Sequence, residues 1–157
     1  MLFFLILSGL AQSESLVAQS AAKPSAPVLQ TSGAFFAVSV ADARATARWY
    51  TEKLGLSIVM DVPRQPQTKA ATIVLRGGGL TVEIVQQDDA VPPQKTGPAV
   101  HGIFKAGVVV NDFDKALGEL KARKVEIAMG PWPARPDQPA NVIVKDNAGN
   151  LIQIFGK

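Results

Sequence analysis

The sequence predicts an α+β fold made of two tandem βαβββ modules, and two observations carry that prediction. One is an internal repeat at an offset of 70 residues. Val38, Val40, Asp42, Pro63, Pro66, Ala70, Ile73, Val74, Gly79 and Ile84 recur in order as Val108, Val110, Asp112, Pro133, Pro136, Ala140, Ile143, Val144, Gly149 and Ile154. The other is that the same succession of hydrophobic periods surrounds each copy, a strand period, then a helix period, then three strand periods.

Each module opens on an alternating apolar run, AFFAVSV or IFKAGVVV. The run leads to an Asp, Asp42 or Asp112, whose carboxylate can accept from an unpaired N–H in the first turn of a helix. The first helix gathers Ala43, Ala47, Tyr50 and Leu54 on one face with Arg44, Arg48 and Glu52 opposite; the second turns Phe113, Leu117 and Leu120 inward. Trp49 and Tyr50 sit at helical positions and are read as core. Three strands follow in each module, LSIVMDV, AATIVL and LTVEIV in the first and VEIAM, NVIVKD and LIQIF in the second. RGGGL, between two strands, lacks the following helix and Lys of a phosphate loop; by the repeat it corresponds to the hairpin turn DNAGN.

These signals divide the chain into an export signal at 1–22, a linker at 23–32 and a domain at 33–157. Within the domain, repeat 1 covers 33–86, a polar, Pro-rich linker covers 87–101 and repeat 2 covers 102–156. The apolar run MLFFLILSGLA is too short to span a bilayer, and small residues follow it at Ser20 and Ala22, as a cleavage site requires; no Lys or Arg precedes it. A real signal means export to a periplasm or the exterior, and any membrane contact is confined to that segment. Without it the expectation is cytoplasmic.

With no cysteine and a single histidine, His101, disulfides and thiolate sites are excluded and any transition-metal site would rest on carboxylates. A net charge of +3 from scattered Lys and Arg, with no interleaved aromatics, argues against a nucleic-acid partner and for an anionic small molecule.

VSVADARATARWYTEKLGL, together with KDNAGNLIQI closing the second module, resembles the vicinal oxygen chelate superfamily, which includes glyoxalase I, extradiol dioxygenases and bleomycin-resistance proteins. The resemblance implies a cup-shaped, partly open eight-stranded barrel with helices outside and a ligand cavity inside. It also implies a divalent metal held by one residue from the first and last strand of each module. Those positions are Phe35, Glu83, Lys105 and Gln153, of which only Glu83 is a good ligand. No cofactor is therefore expected, with a divalent metal as the alternative. His101, four residues before Lys105, is read as a rim residue.

The expected ligand-binding set is Phe35, Ser39, Glu83, Lys105, Gln153, Phe155 and Trp132, with Trp132 either a lid beside Arg135 or packed on the barrel edge. Lys105 and Glu83 either pair where a metal would sit or remain separately hydrated. Three functions stay open: a metal-free binder of a small organic anion; a lyase, isomerase or dioxygenase with an atypical metal or with Lys105 and Glu83 as catalytic groups; and a noncatalytic interaction module. Module pairing of this kind also makes a homodimer an open expectation.

Overall fold

The computed structural model describes residues 34–92 and 102–157. The expected signal, the linker that follows it and His101 lie outside the described residues. Among the described residues no helix is long and apolar enough to cross a membrane.

The elements run β1 (Ala34–Ser39), α1 (Ala43–Leu54), β2 (Ser57–Gln65), β3 (Ala70–Gly77), β4 (Leu80–Gln87), β5 (Ala106–Val110), α2 (Phe113–Ala122), β6 (Glu126–Trp132), β7 (Asn141–Lys145) and β8 (Leu151–Gly156). This is βαβββ twice. Both helices start where a side chain offers the missing acceptor: Asp42 accepts from the Ala45 N–H and Asp112 from the Lys115 N–H, each at 2.9 Å. Helix α1 ends at Gly55, whose φ of 73° is the left-handed conformation that closes a helix at least cost for glycine.

The strands form two four-stranded sheets, ordered β1-β4-β3-β2 and β5-β8-β7-β6, and no closed barrel. In each, the first strand runs parallel to the last and the rest is antiparallel. Alternation gives every strand a helix-facing side and an open side. Val82, Ile84, Ile73 and Leu75 of the first sheet join Val142, Val144, Ile152 and Ile154 of the second, with Tyr50, Ala47 and Leu120, in one continuous core. The two modules therefore share a single hydrophobic interior.

A buried polar link crosses it. Tyr50, fully buried on α1, donates its hydroxyl to Asp146 Oδ2 in the β7–β8 turn at 3.1 Å. Asp146 also accepts from the Ala148 and Asn150 backbone N–H groups and from the Asn150 side chain, so both of its oxygens are fully used. Burial, reinforced by the neighbouring carboxylate, pushes the Tyr50 phenol far above its ordinary value.

The repeat is not uniform in space. Ala37 pairs with Glu83 and Gly107 with Gln153, which keeps the offset of 70 residues for the first and last strands. Glu83 faces Val74, however, whereas Gln153 faces Ile143, so β3 and β7 correspond at 69. The identities Ile73/Ile143 and Val74/Val144 are thus coincidences of sequence. A slip of one residue exchanges strand faces: Ile73 lies in the core and Ile143 lines the open side. The missing residue is in the exit from α2, where the Val125 N–H bonds to Leu120 O while the Leu56 N–H bonds to Tyr50 O. It returns in the β7–β8 turn, one residue longer between Lys145 and Leu151 than its counterpart between Arg76 and Thr81.

One expected strand is shorter than its sequence suggests. IFKAGVVV pairs only from Ala106, opposite Ile152 near the start of β8, so Ile103, Phe104 and Lys105 precede the strand.

Candidate functional site

The open side of the second sheet carries the most developed site. Gln153 and Ile143 face each other there, with Asn141 beside them on β7 opposite Phe155. Strand β6 carries a bulge: Met129 pairs with Ile143 and Trp132 with Asn141, so one extra residue intervenes on the β6 side. Such bulges redirect side chains. Here the bulge sets Trp132 opposite Asn141, and both line the same cavity. Gly130, at φ 85°, lies under the Trp132 ring so closely that a Cβ would stand 2.8 Å from its Cε3.

Beyond β6 the chain reverses over Pro136 and Asp137, with Arg135 and Gln138 exchanging backbone hydrogen bonds of 2.7 and 3.1 Å. That tight reversal sets both side chains on the rim. The result is a cavity of about 310 Å³ lined by Lys105, Trp132, Arg135, Gln138, Asn141, Ile143 and Gln153. Two cations flank it, an indole forms a wall and two buried amides form its floor.

The floor is hydrogen-bonded in series. Gln153 Nε2 donates to Asn141 Oδ1 at 2.9 Å, and Asn141 Nδ2 donates to the Pro139 carbonyl at 3.1 Å. Both amides are buried, at 8% and 1% exposure, which satisfied polar groups tolerate.

Of the residues singled out in the sequence, Lys105, Trp132 and Gln153 meet in this cavity. Phe35 and Ser39 line a separate cleft of about 800 Å³ between β1 and the lead into β5, and Lys105 borders it as well. Glu83 and Phe155 line neither, although both point to the open sides of their sheets. The ion pairs among the described residues are Arg44–Asp61, Arg64–Asp88, Arg123–Glu119 and Lys145–Glu126. Lys105 and Glu83 form no such pair: Lys105 is exposed, with its Nζ 5.9 Å from the Phe104 ring centroid.

Asn141 and Gln138 were not anticipated. A polar residue opening the otherwise apolar strand NVIVK was the available signal for Asn141. Gln138 had none, because its position depends on the reversal before it. Trp49 and Tyr50 do pack in the core region, edge to face at 5.0 Å and 74°.

One family model matches residues 34–154, which take in all eight strands and both helices up to the middle of β8. The chain belongs to the Glyoxalase/Bleomycin resistance protein/Dioxygenase superfamily. Solved structures share the fold at low identity. A glyoxalase family protein from Enterococcus faecalis superposes with a TM-score of 0.62 at 17% identity, covering 80% of this chain and 96% of that one. TnmS3, an antibiotic binding protein from Streptomyces sp. CB03234, gives 0.59 at 19%, covering 83% and 98%. A glyoxalase I mutant from Zea mays gives 0.58 at 18%, covering 77% of this chain and 43% of that longer one. No curated protein matches the chain by sequence.

The superfamily implies a divalent metal, and the residues at its ligand positions can be tested for fit. Phe35 has no lone pair to give, Lys105 brings a cation, and Gln153 offers only a neutral amide oxygen. Glu83 alone supplies a carboxylate, and among the described residues no three His, Asp or Glu side chains converge as a metal requires. This donor set does not fit the group.

Proposed function

We propose that this superfamily member binds a small organic anion without a metal at the family's ligand positions, and that the site is the cavity on the second sheet. The carrying observation is the joint placement of Lys105 and Arg135 beside Trp132, above an amide floor. A carboxylate or similar group is attracted by the two cations, while an apolar or aromatic body lies against the indole. The fold alone does not choose this function, since it houses an antibiotic-binding protein and a glyoxalase I alike. What supports binding over Lys105–Glu83 catalysis is that Glu83 lines neither cavity that Lys105 borders and shares no ion pair with it.

Calorimetric titration with substituted benzoates tests the proposal, alongside metal analysis of the purified protein. Lys105→Met is expected to weaken binding by about tenfold or more, the usual worth of a charge-assisted contact. Stoichiometric zinc, iron, manganese or nickel, or unchanged affinity in the variant, overturns the reading. Homodimer formation and export belong to the same proposal as its setting; gel filtration and fractionation of the expressing cells test them.

A further inference from the structure

The hydrogen-bond series in the cavity floor has a fixed direction, and that direction restricts what the cavity accepts. A backbone carbonyl can only accept, so at Pro139 the Asn141 side chain must present its NH₂. Its carbonyl oxygen therefore faces Gln153, and Gln153 must turn its own NH₂ toward Asn141. The orientation of both amides follows from one proline carbonyl and does not depend on how oxygen and nitrogen are assigned within either side chain. Among the described residues no donor reaches Gln153 Oε1, and no fully buried side-chain oxygen is left without a partner. Gln153 Oε1 therefore opens on the cavity that the residue lines.

From this we infer that Gln153 selects ligands that carry a hydrogen-bond donor as well as an anionic group. The ligand class is hydroxy- or amino-substituted organic acids, the anion set toward Lys105 or Arg135 and the N–H or O–H toward Gln153 Oε1. The inference rests on the proposed anion-binding function and narrows it. A ligand offering an ether or ester oxygen at that point sets acceptor against acceptor and leaves Gln153 Oε1 desolvated and unpaired, the arrangement by which a polar site rejects near-isosteres most strongly. The same directionality bears on Gln153 itself. A carboxylate there would confront Asn141 Oδ1 with a second acceptor, even though Glu83 occupies the corresponding place in the first module.

The test is calorimetric titration of the full chain with matched 2-, 3- and 4-hydroxybenzoates and their methoxybenzoate counterparts, on the unmodified protein and on Gln153→Met. At least one hydroxy isomer should bind ten- to a hundredfold more tightly than its methyl ether. In Gln153→Met that preference should fall to about threefold or less while Lys105 dependence remains. Equal binding of every pair, still weakened by Lys105→Met, overturns the donor requirement and leaves the anion-binding function standing. No binding by any benzoate to the folded protein overturns both. If Gln153→Met does not fold, the hydroxy-to-methoxy comparison on the unmodified protein decides alone, and its absence defeats the inference.

Discussion

The two modules share a plan and differ in what their corresponding strands hold. At the end of the first module Glu83 stands on the open face beside Ala37, and the strand turn is a tight reversal through Gly78 and Gly79. In the second, Gln153 is buried against Asn141, the corresponding turn is one residue longer, and its Asp146 reaches across to Tyr50 of the first module. At the matched positions 83 and 153 the polar side chain is internal in one copy only. The lesson is that a duplicated framework can keep its strand order while one half takes over the polar site and the cross-brace.

That contrast can be broken most severely at Asp146. Asp146→Ala strands the buried Tyr50 hydroxyl and removes the acceptor of two backbone N–H groups in the β7–β8 turn, and a loss of about 3–5 kcal/mol in urea denaturation is expected. Tyr50→Phe removes only the hydroxyl, for an expected loss of about 1–3 kcal/mol. It also carries a pH signature. The Tyr50 phenol is held protonated above its ordinary value of 10.0, so its contribution is complete below that pH and declines as pH rises beyond it. Stability above pH 10 should therefore fall less steeply in Tyr50→Phe than in the parent.

Gly130→Ala sharpens the site side of the comparison. A methyl group there meets the Trp132 ring, and the left-handed backbone adds strain, so about 1–2 kcal/mol of stability should be lost. Benzoate affinity should fall several-fold as the indole wall is displaced, with the change visible in tryptophan fluorescence. Glu83→Gln is the smallest perturbation. It should alter benzoate binding by less than about threefold and leave thermal stability within about 0.5 kcal/mol, as an open-face substitution away from the cavity would. A large effect at Glu83 would return the first module to the site.

The fold was legible because caps and periods are local: Asp42, Asp112 and the alternating strands announce themselves over a few residues. The register that relates the first and last strands of the two modules was legible too, since the 70-residue offset survives there. The offset misleads between α2 and the last turn, where the one-residue slip sets Ile143 on the cavity although Ile73, its match in the repeat, lies in the core. The sequence left Lys105 with two readings, paired with Glu83 or separately hydrated, because an exposed side chain's neighbours are set by tertiary geometry that no local pattern encodes. Asn141 and Gln138 depend on a bulge and a chain reversal and are invisible to periodicity for the same reason.

The Tyr50–Asp146 hydrogen bond joins residues 96 positions apart, one early in the domain and one just before its final strand. During synthesis, α1 emerges long before the acceptor it needs. Until the β7–β8 turn is made, the Tyr50 hydroxyl must stay in water, and with it the helix face that otherwise enters the core. The first module therefore cannot complete its packing ahead of the second, and emergence of the β7–β8 turn and β8 from the ribosome sets the earliest moment at which either half can finish folding.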